Sequence, residues 1–250
     1  MPNRVGQQLS QYRLTRLLGR SAIAELYLAE HAAPGTEAAV KVLQVDLSAE
    51  ESESFLRAAR ALPNLVHGNV LQVIEAGLAG NAEGTFPFLV MEYTPNGSLR
   101  QRHPIGSQLP LSTLLAYIRP LAEGLHAVHL HGFVHGDVKP ENILIGSNHQ
   151  LLLSDCSSGL LSLFTETVTG TVAYMAPELF RGELFPASDQ YAMGIMIYEW
   201  LCGALPFSGA LRDIANQHQS VPPPGLSARS PWISSAIEEV ILKALAKAPE

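Results

Sequence analysis

Residues 135–144 read HGDVKPENIL and residues 154–159 read SDCSSG. The first stretch sets a carboxylate (Asp137), an ammonium two residues on (Lys139) and an amide three residues further (Asn142) along one short segment. The second adds another carboxylate, Asp155. Phosphoryl transfer asks a protein for such a set: an acid to take a hydroxyl proton, a cation against the charge, and hard oxygen ligands for a metal ion. Taken singly, each has a plainer use. An Asp or Asn caps turns, and Lys41, inside AAVKVL (38–43), could be a solvated strand residue.

The elements that must position these groups change type along the chain. The first ninety residues read as short strands at 12–18, 26–30, 37–44, 70–77 and 86–93, the first three bounded by Gly19, Pro34 and Gly35. Ser48 with Glu51 three residues on predicts a capping box opening a helix, with Phe55, Ala59 and Leu62 on its apolar face. TPNGS (94–98) reads as a turn. Beyond residue 110 the pattern predicts long helices at 111–132, 188–203 and 233–247. In the last, Ile233, Ile237, Val240, Ile241 and Ala244 recur at helical spacing. The pattern predicts an α+β fold: a strand-rich lobe, a short linker near 93–98 and a helical lobe. Clefts between such lobes are common ligand sites.

Composition narrows the possibilities. A chain of 250 residues with 47% hydrophobic and 16% charged content is globular and can bury a substantial core. With 16 Lys and Arg against 23 Asp and Glu, the net charge of −7 argues against broad capture of nucleic acid, so a bound polyanion must be small and gripped locally. Cys156 and Cys202 form no CxxC pattern and suggest no disulfide framework. Arg4, Arg13 and Arg16 interrupt any signal peptide, and the apolar run 192–207 is too short for a membrane span and carries Glu199. A reduced, cytoplasmic compartment is expected.

Seven landmarks then stand in order: LLGRSAIAELYLAE (17–30), AAVKVL (38–43), VMEYTPNGSL (90–99), HGDVKPENIL, SDCSSG, GTVAYMAPE (170–178) and SDQYAMGIMIYEWLCGALPF (188–207). With them the chain resembles a bacterial Ser/Thr protein kinase from about residue 11 onward. The resemblance implies a protein-kinase-like two-lobe fold, with an N-lobe over 11–93 of five strands and one helix. A helical C-lobe over 94–250 comes next, stopping before the last helix usual in such domains. It implies ATP and Mg2+ as cofactors and a protein Ser or Thr hydroxyl as acceptor. Asp137 matches the proton acceptor, Lys139 would face the transferring phosphate, and Asn142 with Asp155 would hold the metal. Lys41 matches the lysine on the α- and β-phosphates. Met91 stands at the gatekeeper position, with the backbone of Glu92, Tyr93 and Thr94 facing the adenine. Gly19, Ser21, Ala24, Leu26, Ala39 and Leu144 complete the implied nucleotide-binding set. Asp189 matches an acid at a helix start that braces the catalytic loop, its plainer reading being a helix N-cap, and Thr171 a threonine beneath the substrate.

Four departures bear on activity. Ser21 and Ala24 replace glycines of the phosphate loop. Ala58 stands where a helix acid would pair with the strand lysine; Glu51 is claimed by the capping box, Glu53 sits on another face, and Glu25 is a candidate substitute. Cys156 and Ser157 replace Phe and Gly after the metal-binding acid. Gly136 replaces an arginine that would contact a phosphorylated activation loop at Thr165, Thr167 or Thr169. His126, His129, His131 and His135 lack an acid or cysteine to complete a metal site. Retention of Lys41, Asp137, Lys139, Asn142 and Asp155 favours a kinase of reduced turnover. A pseudokinase scaffold and a small-molecule phosphotransferase are the alternatives; Lys139 and GTVAYMAPE argue against the latter.

Overall fold

The computed structural model describes residues 4–33, 35–45, 47–81, 84–156 and 172–249. Ser157, Thr165, Thr167, Thr169 and Thr171 lie outside the described residues. The chain forms two compact units, Met1–Pro95 and Asn96–Glu250.

The first unit is an antiparallel sheet of β1 (Gln8–Leu9), β2 (Tyr12–Arg20), β3 (Ala24–His31), β4 (Glu37–Leu43), β5 (Val73–Asn81) and β6 (Gly84–Glu92), in the order β1-β2-β3-β4-β6-β5. Five strands were expected. The sixth, β1, is a two-residue strand that folds back on Tyr12 and Arg13, with Ser10 at φ 51° in the turn. So short a strand carries no readable period, which is why the sequence pattern starts only at residue 12.

Directly opposed residues share a sheet face. Tyr27, Val40 and Val90 oppose one another, as do Ala29 with Ala38 and Val42 with Phe88. With Leu9, Tyr12, Leu14 and Phe86 they make one buried apolar layer. The Arg4 guanidinium stacks on this layer, 4.0 Å from the Phe86 ring centroid. The opposite face carries Leu26, Lys41 and Leu89 in one row and Leu28, Ala39 and Met91 in the next. Helix α1 (Ala49–Ala59) opens with the anticipated capping box: Ser48 N donates to Glu51 Oε2 at 2.8 Å, and Glu51 N donates to Ser48 Oγ at 3.2 Å. Phe55 and Ala59 are buried, as the helical spacing requires, whereas Leu62, also buried, lies past the helix end in the 3-10 turn Leu62–Asn64.

The second unit holds α2 (Leu99–Arg102), α3 (Leu111–Leu130), the hairpin of β7 (Ile143–Ile145) and β8 (Leu151–Leu153), α4 (Pro186–Cys202), α5 (Leu211–Ser220), α6 (Leu226–Arg229) and α7 (Ser235–Ala244). Pro120 is accommodated inside α3, where it forfeits one backbone hydrogen bond. Helix α4 is apolar nearly all round, and Tyr191, Ile195, Met196, Tyr198, Trp200 and Leu201 are all buried. That is the signature of a central helix. Among the described residues no helix is long and apolar enough to cross a membrane.

Helix α7 is shorter than the predicted 233–247, beginning after Ser234, whose hydroxyl accepts from Ile237 N. Ile233 and Ile241 are buried, whereas Val240 is 69% exposed, so the apolar face is narrower than its spacing suggests. At α4 the two helices approach closely: a Cβ on Gly194 would stand 3.0 Å from Leu245 Cδ2 and 3.3 Å from Ala244 Cβ. Glycine inside a helix costs about 1 kcal/mol against alanine, so its presence here reflects packing. Gly194→Val is expected to destabilise this unit by about 1–3 kcal/mol through overpacking, seen as a lower urea midpoint. An unchanged midpoint would show that the helices can separate freely.

Candidate active site

The segment that carries Asp137 is shaped by three devices. Gly136 sits at φ 75°, a conformation that costs an L side chain about 1–2 kcal/mol and glycine nothing. Asp189, buried in the first turn of α4, accepts from His135 N at 2.9 Å on Oδ2 and from Gly136 N at 2.8 Å on Oδ1. Its Oδ2 also lies 2.8 Å from His129 Nε2. The N-cap of α4 is Phe185, so Asp189 serves the loop and not the helix end. Finally, Pro140 opens a 3-10 turn, Pro140–Asn142, that runs directly into β7.

Within this frame three predicted side chains converge. Lys139 Nζ donates to Asp137 Oδ1 at 2.9 Å and Oδ2 at 2.7 Å. Asn142 Nδ2 donates to Asp137 Oδ2 at 2.7 Å and to its carbonyl at 2.8 Å. Ser154 ties the next predicted residue to the same turn, donating from N at 2.8 Å and from Oγ at 2.9 Å to the Asn142 carbonyl. Asp155 comes next, at φ 67°, a strained position for a non-glycine residue, of the kind that clusters at functional sites. Leu144 lies in β7 opposite Leu152. Burial, reinforced by the Asp155 charge, raises the Asp137 pKa against the opposing pull of Lys139. Burial likewise drives the Cys156 thiol far above its ordinary value, which favours a neutral, packed side chain.

The first unit gathers its own predicted residues. Ala24, Leu26, Ala39, Lys41 and Met91 fall on one sheet face, because Ala24 opposes Leu43, Leu26 opposes Lys41 and Ala39 opposes Met91. Glu92 N is committed to Gln72 O at 3.0 Å. Ser21 closes the turn between β2 and β3: its N donates to Ala24 O at 2.8 Å, and its Oγ accepts from Ala24 N at 3.1 Å. Serine thus shapes the turn with its own side chain. A Cβ on Gly19 would meet nothing within 4 Å, so open space flanks the strand there.

Register removes one expectation. Glu25 opposes Val42 and therefore lies on the sheet face away from Lys41. It is buried, with Arg20 Nη2 2.7 Å from Oε1 and the Tyr27 hydroxyl donating to Oε2 at 2.9 Å. Glu25 is a structural acid and does not replace the residue missing at Ala58. On α1, Glu53 lies 3.7 Å from Arg57 at the exposed surface.

Sequence reasoning missed Arg100. Its Nη1 and Nη2 donate to Glu199 Oε1 and Oε2 at 2.8 and 3.1 Å, and its Nε donates to Glu141 Oε1 at 2.9 Å. Its Nη2 also reaches the Tyr174 hydroxyl, which donates to Glu199 Oε2 at 2.5 Å. Burial and the Glu199 bond push the Tyr174 phenol up, keeping it a donor. Residues so far apart in the chain leave no local spacing signal.

The raised Asp137 pKa has a consequence for stability. The folded state binds the proton more tightly than the unfolded one, so this group's contribution is greatest below the unfolded pKa. It is lost as pH rises through the folded value. Asp137→Asn is therefore expected to match or exceed the wild-type Tm at pH 7.5, the difference shrinking as pH falls below the raised pKa. A variant less stable at every pH would mean that the carboxylate is a net stabiliser.

Comparison with known proteins gives this geometry a context. Residues 12–250 match the protein kinase domain family. The serine/threonine-protein kinase PknB of Mycobacterium tuberculosis is 34% identical over 252 residues, 96% of this chain and 40% of PknB. Pkn1 of Myxococcus xanthus is 33% identical over 262 residues, 98% of this chain and 37% of Pkn1. The chain therefore spans about two fifths of the length of these relatives. The crystal structure of the Mycobacterium tuberculosis PknI kinase domain aligns with a TM-score of 0.76 at 28% identity, covering 99% of this chain and 93% of that one. Sequence and fold agree, and the chain belongs to the protein kinase domain family.

Proposed function

We propose that the chain is an ATP- and Mg2+-dependent protein serine/threonine kinase module. The observation that carries this reading is the buried Asp137 carboxylate, held between Lys139 Nζ and Asn142 Nδ2 at 2.7 to 2.9 Å. The family implies use of ATP and a divalent metal. The residues fit such ligands: Asn142 and Asp155 offer the hard oxygens that Mg2+ prefers, and the open flank of Gly19 leaves room for phosphate beside backbone. When bound, the metal neutralises charge on the phosphate oxygens.

In this reading Asp137 orients the acceptor hydroxyl and takes its proton. Its raised pKa brings it nearer the operating range of a general base than an ordinary carboxylate. Lys139 releases part of its hold on Asp137 to face the transferred phosphate. Asn142 and Asp155 would hold the metal, and Lys41 would grip the α- and β-phosphates. Leu26, Ala39, Met91 and Leu144 bracket the base, with Glu92, Tyr93 and Thr94 along its polar edge. Cys156 fills space. Substrates are protein hydroxyls, in keeping with the serine/threonine-protein kinases to which the chain is similar. The lost acid at Ala58 lowers turnover without silencing it.

The test is transfer of label from γ-labelled ATP to the protein itself and to casein, with and without Mg2+. Wild type is expected to transfer label only with the metal, and Asp137→Asn to lose about 100- to 10,000-fold in rate. The acid limb of kcat/KM should fall at a higher pH than an ordinary carboxylate near 3.9 would give, because Asp137 must be ionised to accept a proton. Equal labelling of both proteins would end the enzyme reading.

A further inference from the structure

The catalytic turn has two ends, and α4 grips both. At the near end Asp189 takes the N–H groups of His135 and Gly136 directly. At the far end Glu141 precedes Asn142, and ten residues along α4 from Asp189, about 15 Å of helix, stands Glu199. Glu141 and Glu199 are both carboxylates and would repel. Arg100 lies between them, bidentate on Glu199 and bonded through Nε to Glu141. The residues leading into its helix are fastened to the end of β7, just after the turn: Ile145 N donates to Gly97 O at 2.9 Å, and Asn96 Nδ2 to Gly146 O at 2.9 Å. Ser98 and Gln101 cap that helix reciprocally.

We infer that Arg100 is a positioning residue for phosphoryl transfer, one that pins the far end of the catalytic turn to α4 and thereby sets where Asn142 stands relative to Asp137. The same guanidinium reaches the Tyr174 hydroxyl in the 3-10 turn Val172–Tyr174, so the platform after the activation segment is referred to the same point. It acts through Glu141 and touches no reacting atom. The inference rests on the kinase reading for its activity measurement but not for its structural one.

Two variants test it, each assayed well below its own Tm. Arg100→Met removes the cation and leaves two facing acids; Arg100→Lys keeps the charge but not the fork. For autophosphorylation with Mg·ATP, Arg100→Met is expected to lower kcat on the order of 10- to 100-fold, with KM for ATP changed by less than about threefold. Arg100→Lys should recover part of kcat. Hydrogen exchange is expected to rise at 137–142 and 172–176 in Arg100→Met while α3 stays protected. An unchanged kcat in Arg100→Met, or a loss that lysine does not relieve at all, overturns the inference while leaving the kinase reading intact. If wild type itself transfers no phosphate, the kinase reading fails. Local exchange then decides the matter: a rise confined to the two turns supports the brace, and uniform or absent change refutes it.

Discussion

One buried carboxylate organises the helical unit. Asp189 accepts the N–H groups of His135 and Gly136 and meets His129 Nε2, so a single side chain on α4 holds the backbone just ahead of Asp137. Hydrogen bonds to a charged group contribute roughly 1.5–3 kcal/mol each, and leaving such a carboxylate unpaired in the interior would cost several more. The loop therefore cannot drift without unpairing the acid, and the acid cannot leave without unburying the helix. The left-handed Gly136 fits this constraint: glycine lets the chain turn sharply enough to present two successive N–H groups to one carboxylate.

Fixing the backbone at His135 and Gly136 also places the groups downstream. Asp137 emerges buried, its charge disfavoured by desolvation and offset by Lys139 and Asn142. Ser154 then couples β8 to the Asn142 carbonyl, which brings the strained Asp155 to the same turn. The candidate site is thus a chain of hydrogen bonds leading out from a rigid apolar helix, the kind of support a site needs for its groups to stay aligned.

Much of this was legible in sequence because it is local. The capping box of α1, the short strand segments set off by Gly19, Pro34 and Gly35, and the spacing of Asp137, Lys139 and Asn142 all lie within a few residues. The illegible part is long-range. Only register shows that Glu25 and Lys41 occupy opposite faces of the sheet, since a shift of one residue would reverse it. Arg100 meets Glu199 across 99 positions, with no period to announce it. Helix α5 and the two-residue β1 have patterns too short or too polar to separate from loop. The departures that suggested decay prove to have local physical uses: Ser21 closes the β2–β3 turn with its hydroxyl, Cys156 is a packed neutral thiol, and Gly136 suits its backbone angle. Ala58 gains no such compensation from Glu25.

The central proposal is that Asn142 and Asp155 hold a metal ion on a nucleotide whose phosphates meet Lys41. A crystal structure with Mg2+ and a non-hydrolysable ATP analogue tests it most directly. The account predicts Asn142 and Asp155 oxygens about 2.1 Å from the metal and Lys41 Nζ within hydrogen-bond reach of the α- or β-phosphate. A nucleotide bound with either Asn142 or Asp155 turned away from the metal, or with Lys41 on no phosphate, would contradict it.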